Sequence, residues 1–283
     1  MNVADLAIYI FSGMIPIEAE IHLKALTLFG NITRAEKPTV EWHIAERQLH
    51  IKTTKVTVGS LKSKSFALSI TFKTIMNIYA PLSKSAWKTM TSKKIKEYWT
   101  NKINNSVSNY KSLEFLTEGI NIGKVHHMLT TTSAIARDIC CLPSRIKIAT
   151  GTYILQSKRA AFNSYKVDPK CRLCSQKEET VTHFLITCNA LQNARNALLE
   201  DITHRCRELL DYININIDID IARVIANPYQ LIQHASNLQY SDACKSIISN
   251  IEPACRALIY ALHMRRYERL GLNQRPVRRT NLK

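Results

Sequence analysis

The sequence predicts a mainly α-helical protein, a helical bundle long enough for one large or two small domains with their own core. Two observations carry this. Only 7 Gly and 8 Pro punctuate 283 residues, too few for the short strands and frequent turns of a β-sandwich. Apolar residues make up 46% of the chain, and over several long windows they recur at the three- and four-residue steps of a helix face.

Residues 1–52 form the first helical segment. The apolar run from Leu6 to Ile17 is broken by Gly13 and Pro16 and falls short of the roughly 20 residues of a spanning helix, so no membrane crossing is expected. Met1 is followed by Asp5 and no early Lys or Arg. The basic start of a secretory signal is therefore missing; either the location is intracellular, nuclear or cytoplasmic, or the true N-terminus is not in this sequence. Pro16 suits a first helical position, Glu18 and Glu20 complement the positive end of the helix, and Gly30-Asn31 offers a left-handed stop. A helix from Pro16 to Phe29 follows, with Ile17, Ile21, Ala25, Leu28 and Phe29 on its buried face. A second is predicted from Val40 to Ile51, with Trp42, Ala45 and Leu49 on one face.

Residues 53–82 are rich in Lys, Ser and Thr and follow neither period, which predicts an irregular segment. In the helical segment 83–165, Ile95, Trp99, Ile103, Val107 and Tyr110 define a basic amphipathic helix within Ser85 to Leu116. His126-His127 and Thr130 to Ser133 predict a loop, and the apolar segment after Pro143 is expected to break near Gly151. A small module occupies 166–190. In 191–271, Leu191, Ala194, Leu198, Ile202, Cys206, Leu209 and Ile213 form a long helical stripe, and Asn227-Pro228 interrupts the chain. The last helix is predicted to begin at Pro253 and end at Gly271, leaving a basic tail at 272–283.

The net charge of +17 is concentrated. Twelve Lys and one acid, Glu97, lie between Lys52 and Lys111, and seven basic residues and one acid, Glu268, lie between His263 and Lys283. These two stretches account for the whole excess, so the rest is a neutral body. Such stretches repel themselves unless solvated or neutralised, and a polyphosphate backbone is the first partner to expect. A solvated basic surface, an import signal or an acidic protein partner remain the alternatives.

Eight Cys in an intracellular setting favour a metal site or buried thiols over disulfides. In CRLCSQKEETVTHFLITC, Cys171, Cys174, His183 and Cys188 are spaced C-x2-C-x8-H-x4-C, which suits a tetrahedral zinc ion. Two residues between the first thiols make a tight turn, and Ser175 to Glu179 supply a reversal. Thr180 is placed to cap the helix carrying Phe184 and Leu185. Four residues between His183 and Cys188 exceed one helical turn, so both face one metal only if the helix ends or distorts there. Four protein ligands leave no open position, which makes the expected Zn2+, one per chain, structural. The alternative is reduced, buried cysteines beside an ordinary histidine. Cys206, Cys244 and Cys255 are expected as buried thiols and Cys140-Cys141 as unpaired.

The residues Cys171, Cys174, Glu179, Thr180, His183, Phe184 and Cys188 resemble the zinc-binding segment downstream of the polymerase domain in reverse transcriptases of non-LTR retrotransposons. The resemblance extends to Tyr153-Ile154-Leu155-Gln156 with Arg159 and Phe162-Asn163, to Phe11 through Pro16, to Leu26 through Ile32, to Glu46-Arg47-Gln48-Leu49, and to Trp87 and Tyr98-Trp99. It lapses between Thr53 and Pro81, where the family carries a Ser- and Trp-containing stretch. It implies a C-terminal, non-catalytic part of such an enzyme, touching RNA or DNA, with 1–52 following the polymerase thumb.

The paired acids of a two-metal polymerase site are missing, since the chain has no Asp-Asp pair, and neither a Walker loop nor a Gly-x-Ser-x-Gly elbow is present. No catalytic residue and no small-molecule substrate are expected. Lys93, Lys94, Lys96, Arg172, Lys177, Arg265 and Arg266 are the expected phosphate partners. The competing expectation is a zinc-stapled protein-interaction module that binds through its Trp-bearing helices without nucleic acid.

Overall fold

The structure is a computed structural model that describes residues 2–35, 39–50, 82–116, 122–213, 219–229 and 241–272. The expected irregular segment 53–82, apart from Leu82, and the basic tail beyond Leu272 lie outside the described residues, as does the side chain of Cys244. The described chain is helical, with no β-strand and one isolated antiparallel bridge, Lys170 to Glu178. It divides into two compact units, one of Gly13–Asn105 with Ile120–Lys124, the other of Met1–Ser12, Ser106–Gly119 and Val125–Lys283.

The first of these is built on helices α2 (Ile17–Arg34), α3 (Val40–His50) and α4 (Lys84–Val107). Helix α4 buries Trp87, Thr91, Ile95, Trp99, Ile103 and Val107, one residue every four, which keeps the expected stripe from Ile95 to Val107 and adds Trp87 and Thr91. Tyr110 lies beyond the helix, which ends at Val107 and not near Leu116. Helix α2 departs from expectation twice. It does not stop at Gly30-Asn31 but runs on to Arg34. Gly30 is there for close approach: a Cβ at this position would lie 2.2 Å from Nε1 of Trp87, which donates to the Leu26 carbonyl at 2.8 Å.

The buried face of α2 is also different. Ala19, Gly30 and Thr33 are buried, with Leu23 and Leu26 packed beside Ile95 and Trp99, while Ile17, Ile21 and Leu28 are more than half exposed. The reason is steric. Two indoles need small residues opposite them, and Ala19 and Gly30 provide that space. Helix α3 has the predicted extent to within a residue; its first turn is capped by the Thr39 hydroxyl, which accepts from Trp42 N–H at 3.2 Å, and Trp42 is buried.

The second unit contains α1 (Val3–Ser12), a single turn α5 (His127–Thr130), α6 (Ala136–Ala149), α7 (Gln156–Phe162), α8 (Gln192–Ile213), α9 (Ile221–Ala226) and α10 (Ser241–Arg269). The expected loop at His126-His127 is instead the start of α5, because His126 Nδ1 caps it by accepting from Met128 N–H at 3.1 Å. The break after Pro143 falls where expected, at Gly151, in the left-handed region at φ 58°.

Helix α10 begins twelve residues before the predicted Pro253, which it carries in its interior. A proline there forfeits one backbone hydrogen bond. The loss is outweighed by an unbroken buried stripe of Ile248, Ile251, Cys255, Leu258, Ile259 and Leu262. This stripe packs with Ile202, Cys206 and Leu209 of α8 in the main core, and tertiary packing rather than local propensity sets the helix start. Cys206 and Cys255 are buried free thiols.

Four arginines are buried among the described residues of this unit, Arg145, Arg195, Arg256 and Arg266. Arg145 of α6 is fully enclosed and pairs with Glu252 of α10 through Nε at 3.0 Å and Nη2 at 2.8 Å, while its Nη1 donates to the Ala226 carbonyl. Arg256 donates to the Thr132 hydroxyl and, at 3.2 Å, to the Thr131 carbonyl. Arg266 serves the module described next.

Candidate metal centre

The module between α7 and α8 brings Cys171, Cys174, His183 and Cys188 together, with one donor atom from each within 4.8 Å of every other. Three local devices achieve this. Cys171 N–H donates to the Lys177 carbonyl at 2.8 Å and Ser175 N–H to the Cys171 carbonyl at 2.8 Å, while Ser175 takes φ 55° to tighten the turn. The expected reversal through Ser175 to Glu179 is therefore present, closed by the Lys170 to Glu178 bridge. The Thr180 hydroxyl accepts from His183 N–H at 3.1 Å, the predicted cap.

The third device is the helix distortion that the spacing demands. Residues His183–Thr187 form a π-helical turn, and Cys188 N–H reaches the His183 carbonyl, five residues back, at 2.8 Å. In a regular α-helix five residues sweep about 500°, leaving Cys188 roughly 140° away from His183. The wider turn returns it to the same side.

Two of the six edges between the donors match those of a four-coordinate ion. Cys171 Sγ and Cys188 Sγ are 3.8 Å apart, and Cys174 Sγ and His183 Nε2 are 3.3 Å apart. A tetrahedron with bonds of about 2.3 Å to sulfur and about 2.0 Å to nitrogen has edges of about 3.8 Å between sulfurs and about 3.5 Å between sulfur and nitrogen. Four protein donors close the coordination shell, so a metal held here has no position left for water or substrate. Cys171, Cys188 and His183 are buried, and Cys174 is half-buried.

Protonation follows from this enclosure. Burial pushes the Cys171 thiol up, against the N–H groups of Cys174 and Leu173. Burial and the facing Cys171 push Cys188 up to about 12. Burial also acts upward on Cys174, but N–H groups of Gln176 and Lys177 outweigh it and the net shift is down. His183 is lowered, chiefly by burial. The Cys171 and Cys188 thiols resist ionisation by themselves, and a cation among the four donors reverses that.

Surrounding residues hold the ligands in place. His183 Nδ1 lies 3.1 Å from the Thr187 hydroxyl, which fixes the ring with Nε2 toward the sulfurs. Arg195 of α8 donates to the Cys188 carbonyl at 3.0 Å. Phe184 stacks on Tyr153 at 5.3 Å between ring centres and Leu185 is fully buried, so the ligand turn is rooted in the main core. Glu179, buried, accepts from Gln156 N–H at 2.8 Å and from Arg266 Nε and Nη2 at 2.8 and 3.1 Å, tying the module to α7 and α10 at once.

That last contact corrects one expectation. Arg266, expected to face phosphate, is 6% exposed and committed to Glu179. The other expected phosphate partners divide between the two units. Lys93, Lys94 and Lys96 are exposed on α4, with Lys94 paired to Glu97 at 3.1 Å. Arg172 and Lys177 are exposed on the module, and Arg265 pairs with Glu268 at 2.6 Å. Sequence reasoning missed Thr187 and Arg195; the only signal for either was position, one residue before and seven after the last ligand.

No single helix among the described residues is long and apolar enough to cross a membrane. No protein-family model, curated protein or solved structure matches the chain, so the functional reading stands on the chemistry of these residues.

Proposed function

We propose that the chain is the non-catalytic C-terminal part of a reverse transcriptase of the non-LTR retrotransposon type. In this reading Cys171, Cys174, His183 and Cys188 hold one structural Zn2+, and the basic surface contacts RNA or DNA. The observation that carries it is the Cys3His cluster, whose edges of 3.8 and 3.3 Å suit tetrahedral zinc and whose soft thiolate donors favour zinc over magnesium or calcium. The placement of Glu179, Thr180 and Phe184 supports it further. Within the family-like stretch, Glu179 clamps Arg266, Thr180 caps the ligand turn and Phe184 anchors it in the core.

Metal analysis of the purified chain tests the first part. One zinc per chain is expected, falling toward zero in Cys171→Ser and His183→Ala; unchanged stoichiometry overturns the ligand assignment. Binding to RNA and DNA across a salt series tests the second, because phosphate contacts make affinity fall steeply with salt. A second reading, a zinc-stapled protein-interaction module, is favoured by the exposed Ile17, Ile21 and Leu28 of α2. A flat salt dependence with both nucleic acids selects it.

A further inference from the structure

Helix α4 turns its tryptophans inward and presents a groove of about 780 Å³, lined by Lys88, Thr89, Ser92, Lys93, Lys96 and Thr100 among others. All three lysines are exposed, and none has an ion-pair partner among the described residues. Glu97, the one acid among the described residues of the wall, is paired to Lys94 at 3.1 Å. Three cations lining one groove repel each other, and an anion that spans them relieves the repulsion.

The arrangement is linear. Lys88, Ser92, Lys96 and Thr100 follow at four-residue steps, a row of donors about 18 Å long. This equals the axial length of about five nucleotides of one duplex strand, at about 3.4 Å each. What the groove lacks sharpens the assignment. Trp87 and Trp99 are buried at 2% and 3% exposure, and no aromatic residue is among the described residues lining the groove, so these offer no platform on which a base could stack.

We propose that this groove binds the phosphodiester backbone of one strand of RNA or DNA through Lys88, Lys93 and Lys96, without reading its bases. The inference rests on the nucleic-acid reading above and deepens it, because it assigns the contact to α4 rather than to the metal module and fixes its chemistry. Hydroxyls of Thr89, Ser92 and Thr100 add neutral donors to the same phosphates.

The test uses the full, metal-loaded chain and fluorescently labelled oligo-dT, oligo-dA and oligo-U, each titrated over a salt series. For the parent chain log affinity is expected to fall linearly with log salt. The triple variant K88A/K93A/K96A should reduce that slope by about 2, at about 0.7 for each lost contact with a single strand. The triple Arg variant should keep the slope, and Lys24→Ala, an exposed lysine of α2, should leave it unchanged. The arm that loses its slope, DNA or RNA, names the source of the backbone. Binding by the parent with an unaltered slope in the triple Ala variant overturns the groove and leaves the nucleic-acid reading standing. An equal loss in Lys24→Ala, or a large preference between oligo-dT and oligo-dA, also overturns it. Failure of the parent to bind any of the three at low salt overturns both. Far-ultraviolet circular dichroism of the variants separates lost contacts from lost fold.

Discussion

The unit built on α8 and α10 buries several of its arginines, whereas no described Lys or Arg of the unit built on α2, α3 and α4 is buried. In the first, Arg145, Arg256 and Arg266 are each no more than 6% exposed, and each is committed to an acid or a carbonyl. In the second, Lys88, Lys93 and Lys96 remain in water while Trp87 and Trp99 fill the interior. The side chains explain the division. A guanidinium is planar, weakly hydrated and able to grip a carboxylate at two points, whereas an ammonium is strongly hydrated and stays outside. A net charge of +17 therefore overstates the cations available to a partner.

On this contrast, the first unit should be sensitive to lost charges and ligands and the second to changed volume. Metal removal should have the largest effect: chelation, or Cys188→Ser, should unfold the module at 166–190, read as lost amide protection there, because ligand geometry and local fold are coupled. Arg266→Met should come next. It leaves Glu179 buried without its partner, and about 3–5 kcal/mol of stability should be lost in denaturant titration. A double variant that also carries Glu179→Gln should recover part of this; no recovery would mean that packing, not charge, is at stake.

Acid provides a third probe. Burial first, then Arg145 and His127, lower the His126 pKa to about 4. The unfolded chain therefore binds this proton more readily, so the stabilisation is complete above about pH 6.5 and is lost as pH falls through that value toward 4. The contribution is on the order of 3 kcal/mol. His126→Asn keeps a capping acceptor and should flatten this part of the stability profile. The smallest effect belongs to the second unit: Gly30→Ala should cost about 1–3 kcal/mol by pressing a methyl group into Trp87. Equal loss from Ala at an exposed site of α2 such as Ile21 would remove the steric argument.

What the sequence made legible was local. The four ligands lie within eighteen residues, so spacing alone implied the turn, the cap at Thr180 and the distortion before Cys188. The α4 stripe was legible for the same reason. Apart from the local cap at His126, the main failures were decided at a distance. Arg266 and Glu179 are 87 positions apart, and nothing near either one signals the other. The face of α2 was chosen by Trp87, 61 positions from the carbonyl that it binds, and large apolar residues at Ile17 and Ile21 misdirected the local pattern. The start of α10 at Ser241 depends on a core stripe that a proline at 253 obscures.

The clamp between Glu179 and Arg266 has a mechanical consequence. Arg266 sits three residues before the end of α10, so tension applied at the end of that helix reaches the Glu179 carboxylate almost at once. The two hydrogen bonds from Arg266 to the carboxylate act in parallel and must rupture together. Stretching single molecules from that end should therefore show one abrupt yield that includes the 171–188 loop, and Arg266→Lys, with a single point of attachment, should lower the yield force.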